Sequence, residues 1–346
     1  MKINSLYNSI KTNDHVWLIT GVAGFIGSNL LEILLKLNQR VVGIDNFSTG
    51  FESNLLDVKK HLSDKQWTNF QFIKGDILER STLKKIAIPI DFILHQAALG
   101  SVPRSLENPI DTNLHNINGF LNLIEFARLN DVKRFVYASS SSVYGDSPLL
   151  PKIESVLGNL LSPYALTKRT NELYAQVYQK CYGLESVGLR YFNVFGRRQN
   201  PEGYYSAVIP KWIGQVIRGE TITINGNGST SRDFCYIDNV VQANILACFC
   251  EIKEDTEKNI YNVCVGERTT LNQLFEKIKS LAKQHGIIKE DISPYYADFR
   301  KGDVLHSHGD MSLIEKNLGY SPSHKINEGL EECFEWYTLN FNKVND

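Results

Sequence analysis

No apolar run in this chain reaches the ~18 residues that a membrane-crossing helix needs, so no membrane span is expected. The first stretch, Met1 to Asp14, is polar and has no apolar segment of the kind that a signal peptide carries. Neither half holds a basic block and the formal net charge is only −1, which removes the electrostatic footprint of a nucleic-acid-binding protein. The six cysteines, Cys181, Cys235, Cys248, Cys250, Cys264 and Cys333, form no Cys-x-x-Cys pair and no regular spacing. Reduced, mostly buried thiols of a cytoplasmic protein are expected, rather than a disulfide framework. The one Cys-x-Cys, Cys248 and Cys250, falls inside an apolar helical run, where core packing accounts for it, and no metal site is expected. There is no internal repeat and no low-complexity tract. What the chain does have is 346 residues, 42% of them hydrophobic, enough for a large core in one or two closely joined domains.

Val16-Trp17-Leu18-Ile19-Thr20 is a short apolar run that reads as a buried parallel strand. It enters Gly21-Val22-Ala23-Gly24-Phe25-Ile26-Gly27, and helical periodicity follows from Ser28 to Asn38. Strand, glycine turn and helix in that order make a phosphate site, because small residues let the backbone approach a pyrophosphate at a helix N-terminus. The spacing is Gly-x-x-Gly-x-x-Gly, not the commoner Gly-x-Gly-x-x-Gly of dinucleotide folds. A second strand, Arg40 to Ile44, ends at Asp45, eighteen residues beyond Gly27. An acid there accepts both ribose hydroxyls of NAD and repels a 2′-phosphate, so NAD is favoured over NADP.

Phe70–Ile73, Asp91–His95, Lys133–Ala138 and Glu185–Arg190 read as further strands, and Asn108 to Asn130 as a long helix. Gln96-Ala97-Ala98, after the fourth strand, is small enough to lie against a cofactor. His95 reads as a strand-end histidine with structural hydrogen bonds rather than as a catalytic group. Strands alternating with helices at this spacing predict an α/β fold with a Rossmann-type doubly wound parallel sheet. After Arg190 the alternation loosens into turn clusters around Ile209–Arg218, a helical Cys235–Glu251, a strand-like Ile260–Val265 and a helix Leu271–His285 among short irregular pieces. The expected division is a dinucleotide-binding domain, 1–190, to which 234–264 returns, and a smaller α/β substrate-binding domain from 191–233 and 265–346. The second would cap the strand ends where ligands bind.

The chemistry is expected at Ser162-Pro163-Tyr164-Ala165-Leu166-Thr167-Lys168. Proline presets a helix start, and no glycine or further proline interrupts Tyr164 to Tyr182. Tyr164 and Lys168, four residues apart, then share one face. A tyrosine hydroxyl titrates near ~10. An ammonium one turn away favours the phenolate and brings the pKa towards the value that a general base needs. Upstream, Ser139-Ser140-Ser141-Ser142 ends an apolar run and offers hydroxyls that could hold a substrate oxygen. On its own the Tyr-x-x-x-Lys spacing is also what an ordinary helix-surface pair looks like.

Taken together, the motifs carry more. Thr20 to Ser28, Asp45-Asn46-Phe47-Ser48-Thr49-Gly50, Gly75-Asp76-Ile77, His95 to Ala98, Ser140 to Gly145, Tyr164 to Lys168, Arg190 to Gly196, Ser231-Arg232-Asp233-Phe234 and Arg300-Lys301-Gly302-Asp303 run the length of the chain. The chain resembles the extended short-chain dehydrogenase/reductase family, and within it the nucleotide-sugar 4-epimerases of the bacterial UDP-N-acetylhexosamine subgroup. The resemblance implies an NAD cofactor held by Gly21, Gly24, Phe25, Ile26, Gly27, Asp45, Asn46, Phe47, Ser48, Thr49, Gly50, Asp76, Ile77, Gln96, Ala97 and Ala98, with Tyr164 and Lys168. It implies that Tyr164 takes the C4 hydroxyl proton, that Lys168 lowers its pKa and holds the nicotinamide ribose, and that Ser140 and Ser142 bond the oxygen at C4. Hydride would leave C4 for NAD and return to the other face of a 4-keto sugar, with no net oxidation. The protein's task would be alignment.

On the substrate side the resemblance implies that Arg232 and Arg300 meet the UDP diphosphate, that Asp303 accepts from the uridine ribose and that Asn193 contacts diphosphate or sugar. Ser101, Arg104, Gln199 and Arg268 fall in segments peculiar to the N-acetyl subgroup. Dehydratases of the superfamily carry an Asp-Glu pair where this chain has Ser141 and Ser142, so dehydration is disfavoured. Ser307 stands where epimerases restricted to UDP-galactose place a tyrosine, which leaves room for an N-acetyl group at C2. The expected reaction is interconversion of UDP-GlcNAc and UDP-GalNAc for surface polysaccharide, with the corresponding uronic acids as the alternative substrates. An NAD-binding regulator or a net oxidoreductase is the competing class. The resemblance also implies a homodimer through a four-helix interface built on Asn108–Asn130 and Tyr164–Tyr182.

Overall fold

Seven parallel strands form the centre of the molecule: β1 (Val16–Thr20), β2 (Arg40–Asp45), β3 (Phe70–Lys74), β4 (Phe92–His95), β5 (Arg134–Ser140), β6 (Ser186–Tyr191) and β7 (Ile260–Val263). The computed structural model describes residues 3–202, 206–255, 259–299 and 305–344. Their order is β7-β6-β5-β4-β1-β2-β3, the Rossmann-type arrangement expected. β1, β4, β6 and β7 are buried along their whole length, as strands covered by helices on both faces must be. Strand order reverses between β1 and β4, so the glycine turn after β1 and Gln96-Ala98 after β4 open on the same crevice.

The helices that frame the site are α1 (Phe25–Lys36), α2 (Gly119–Leu129), α3 (Pro163–Tyr182) and α4 (Ile237–Phe249). The helical pattern over 108–130 is not one regular helix: Pro109–Asn113 and α2 are joined by a π-turn, Leu114–Asn118. The helical reading from Cys235 also starts too early, because Cys235–Tyr236 is a strand paired with Val194–Phe195. Several helices escape the sequence reading, among them two near the ends of the chain. Ile3–Thr12 lies in the segment taken as merely polar, yet Leu6 and Ile10 are buried one turn apart and Gln39 Nε2 donates to the Ile10 carbonyl at 2.9 Å. Ile326–Val344 buries Leu330, Cys333, Phe334 and Tyr337, a 3-4-7 spacing half hidden among glutamates.

Beyond β6, small sheets lace the chain together over the strand ends. Ser231–Arg232 pairs antiparallel with Thr269–Thr270, and Thr223–Asn225 pairs parallel with Tyr295–Ala297. All six cysteines are free, and Cys248 is buried in α4. Among the described residues no helix is long and apolar enough to cross a membrane.

Candidate active site

The glycine turn is built by close approach. Gly21 has φ +70°, and a Cβ there would come 2.9 Å from the Ala97 nitrogen; a Cβ on Gly27 would come 2.1 Å from the Gly21 carbonyl oxygen. Without side chains the turn therefore packs both against the end of β4 and under the first turn of α1. Gly24 caps that helix in an extended conformation with no side-chain acceptor, so its first N–H groups stay available. They face a cleft of about 600 Å³. Of the expected cofactor residues, its lining includes Gly21, Gly24, Phe25, Ile26 and Gly27, then Asp45, Asn46, Ser48 and Thr49, then Asp76, Ile77, Gln96, Ala97 and Ala98. Phe47 and Gly50 are not part of it: Phe47 packs on Phe72 at 5.4 Å, and a Cβ on Gly50 would meet Ala23 at 2.9 Å.

Asp45 Oδ2 accepts from the Ala23 N–H at 2.9 Å and Oδ1 from the Phe47 N–H at 2.8 Å. Burial pushes its carboxyl above the usual value, against those backbone bonds. Asp76 is fixed by Asn46 Nδ2 at 2.8 Å and by the Leu78 N–H at 2.9 Å. An uncapped helix start, a backbone cradle that a Cβ would fill and an acid at the end of β2 together suit a dinucleotide with free ribose hydroxyls.

The second cluster lies at the start of α3. Ser162 Oγ accepts from the Ala165 N–H at 3.1 Å, Pro163 opens the helix, and Gly183 closes it in the left-handed conformation. Ser140 Oγ accepts from both the N–H and the hydroxyl of Ser142, at 3.1 and 2.9 Å, and lies near enough to the Tyr164 phenol to favour its ionised form. Lys168 Nζ lies 5.9 Å from the centre of the Tyr164 ring and donates to the Ala138 carbonyl at 2.8 Å. Burial depresses its ammonium to about 8. The phenol itself is raised by burial, with only Ser140 opposing. The lysine-acidified phenol expected from the spacing is thus not what these groups produce by themselves, because burial outweighs a charge turned to a carbonyl. Tyr164 holds its proton here. None of these four residues lines the 600 Å³ cleft.

Ser101, Arg104 and Gln199 do line that cleft. Ser101 has φ +100° and caps the short helix Val102–Glu107. Asn193 Nδ2 donates to the Asp233 carbonyl at 3.2 Å, and Arg232 Nη1 to the carbonyls of Ser231 and Leu305 at 3.0 and 3.1 Å. The Ser307 N–H bonds the Ser231 carbonyl at 3.0 Å, which sets Ser307 against the Arg232 strand; Arg268 is exposed, next to Thr269, which pairs with Arg232. Arg300 and Asp303 lie outside the described residues.

Residues 17–264 match the NAD dependent epimerase/dehydratase family. The chain belongs to that family. A putative UDP-glucose 4-epimerase of Methanocaldococcus jannaschii is 34% identical over 93% of this chain and 98% of its own. A UDP-N-acetylglucosamine 4-epimerase from Methanobrevibacter ruminantium M1, solved with UDP-N-acetylmuramic acid, superposes with a TM-score of 0.85 at 36% identity, covering 95% of this chain and 99% of the other. A UDP-glucuronic acid 4-epimerase from Bacillus cereus, solved with UDP-glucuronic acid and NAD, gives 0.80 at 29% identity over 94% and 99%. The chain is an epimerase of the UDP-sugar 4-epimerase type with NAD as its cofactor.

Two positioning groups of this epimerase escape the sequence reading. Asn116, in the π-turn, bonds the Leu99 carbonyl and Thr167 Oγ1, both at 3.1 Å, and accepts from the Leu99 N–H at 2.8 Å. It ties the cleft segment to α3; the only trace in the sequence is an asparagine in a helix. Glu172, buried one turn beyond Lys168, takes Arg190 Nε and Nη2 at 2.8 and 2.9 Å, Arg169 Nη1 at 2.9 Å and Ser139 Oγ at 2.6 Å. An arginine inside a buried strand needs such a carboxylate, and Glu172 shares the helix face of Tyr164 and Lys168.

His95 is held neutral, as its structural reading requires. Its Nδ1 is 2.7 Å from Thr20 Oγ1, and burial, then the charge of Lys168, pushes it down to about 3. The folded value lies below the unfolded one, near 6.5. The contribution of His95 is therefore complete above pH ~6.5 and is lost as pH falls towards 3, because only the unfolded chain takes up the proton. Thermal midpoints measured from pH 7 to 5 are expected to fall more steeply in the parent protein than in a His95→Gln variant; parallel slopes would exclude this source of acid sensitivity.

Proposed function

We propose that this protein interconverts UDP-GlcNAc and UDP-GalNAc by inverting C4 through a transient 4-keto sugar, in the supply of surface-polysaccharide precursors. The observation that carries the C4 chemistry is the cluster formed by the hydrogen-bonded Ser142–Ser140 hydroxyls, the Tyr164 phenol beside them and Lys168 one turn along α3. NAD, when bound, supplies a hydride acceptor and donor and brings a positively charged ring. With Lys168 and that ring favouring the phenolate, Tyr164 would take the proton from the C4 hydroxyl and later return it to the same oxygen. Ser140 and Ser142 hold that oxygen, and Lys168 steadies the phenol electrostatically and anchors a ribose hydroxyl. Hydroxyls at Ser141 and Ser142, in place of acids, are poor groups for eliminating water at neutral pH, which favours epimerisation over dehydration.

The sugar preference rests on Ser307, small and beside the Arg232 strand. A Ser307→Tyr variant is expected to lose at least about tenfold in kcat/KM on UDP-GlcNAc while keeping activity on UDP-glucose, the scale on which small changes of pocket volume act. Equal losses on both sugars would remove Ser307 from specificity. The uronic acids remain as the second reading because Arg104 lines the cleft and could meet a C6 carboxylate. Coupled assays with UDP-GlcNAc and its uronate decide between them, and far higher kcat/KM on the uronate would overturn the first choice. A homodimer through the two helical segments around 109–129 and 163–182 is part of the proposal, supported by exposed Ile110, Leu114, Leu166, Leu173 and Val177.

A further inference from the structure

One wall of the cofactor cleft includes Arg198, Gln199, Asn200 and Glu202. The side chain of Arg198 is fully buried, and its φ of +66° is a left-handed conformation that a non-glycine residue adopts at a cost. Its Nη2 donates to Glu32 Oε2 at 2.5 Å, its Nε to Asp57 Oδ2 at 2.8 Å, and its Nη1 to Asn29 Oδ1 at 3.4 Å. Asn29 and Glu32 belong to α1, whose N-terminus opens on the cleft; Asn29 Nδ2 also donates to the carbonyls of Phe25 and Arg197 at 2.8 and 3.2 Å. The next residue, Gln199, has its backbone carbonyl held by the Tyr337 hydroxyl and its side-chain Nε2 by the Val194 carbonyl at 3.2 Å. Its Oε1 is buried with no hydrogen-bond partner among the described residues.

We propose that Arg198 is a positioning residue that holds the Gln199–Asn200 wall against the phosphate-binding helix and thereby sets how firmly NAD is retained. Only a planar fork meets two carboxylates on different helices and an amide at once; an ammonium is a single point of charge. Lys36 at 2.5 Å and Arg197 at 3.9 Å from Glu32, and His61 at 4.0 Å and Trp336 Nε1 at 3.4 Å from Asp57, also face this cluster, and none of the four lines the cleft. The coupling matters to a reaction whose cofactor must stay bound through each turnover. The inference rests on NAD as cofactor and is independent of which sugar is turned over.

The test uses the full chain loaded with NAD and freed of excess, as the parent protein and as Arg198→Lys and Asp57→Asn. Retained NAD is followed with time, beside thermal unfolding and turnover with and without added NAD. Both variants are expected to release NAD at least about tenfold faster than the parent and to regain on adding NAD the activity lost on dilution. NAD release within about twofold of the parent in both, whatever happens to the thermal midpoint, would make Arg198 merely structural and overturn the proposal. Should Arg198→Lys fail to fold, Asp57→Asn, which keeps side-chain size and leaves Glu32 in place, decides by the same criterion.

Discussion

Replacing Tyr164 by phenylalanine is expected to lower kcat by roughly 10²–10⁴-fold, the range over which one positioned acid–base group contributes. The change removes one oxygen and little else. Ser140 keeps both of its donors from Ser142, Lys168 keeps the Ala138 carbonyl, and the Ser162 cap is untouched. The fold, NAD content and KM for the UDP-sugar should therefore stay close to the parent's, so that the whole loss appears in kcat. A loss confined to KM would move Tyr164 from proton transfer to binding, and full activity would favour a binding protein that has kept the fold without its chemistry.

The second large effect is expected at Glu172, which never meets a ligand in this account. Replacing it by alanine leaves Arg190, 1% exposed, without its carboxylate, and removes partners of Arg169 and Ser139. Breaking a buried pair from one side costs about 3–5 kcal/mol, because a desolvated charge is left uncompensated. Thermal unfolding should show a midpoint lower by several degrees or more. Among the described residues Arg190 then keeps the Tyr144 hydroxyl at 3.1 Å, the face of that ring at 4.9 Å and the Glu154 carbonyl at 2.9 Å, which do not replace a charge. In the fraction that folds at low temperature, kcat should also fall, since α3 loses its tie to β5 and β6 one turn from Lys168. An unchanged midpoint would mean that Arg190 finds water or another anion.

The parallel sheet and the glycine cradle were readable in the chain because their causes are local. Apolar runs such as Val16–Thr20 belong to strands buried on both faces, and the glycines of 21–27 stand where a Cβ would strike backbone. The helix Ile326–Val344 was not readable, since buried Leu330, Cys333, Phe334 and Tyr337 make sense only once a core exists to receive them. The same holds for Arg198 with Glu32 and Asp57, partners more than a hundred positions apart in the chain. At the site itself, the Tyr164–Lys168 spacing placed two side chains on one face correctly. It carried no information on burial, which sets the phenol above the usual tyrosine value and turns the ammonium to Ala138. Sequence periodicity registers neighbours along an element; electrostatics depends on what lies across it.

The most direct measurement uses UDP-GlcNAc carrying deuterium at C4, turned over by the NAD-loaded protein in ordinary water, with the product examined by mass spectrometry and the absorbance at 340 nm recorded throughout. UDP-GalNAc that keeps its deuterium at C4, and an absorbance that does not climb with turnover, are expected. Product whose C4 label has been replaced by solvent hydrogen, or a steady rise at 340 nm, would contradict it.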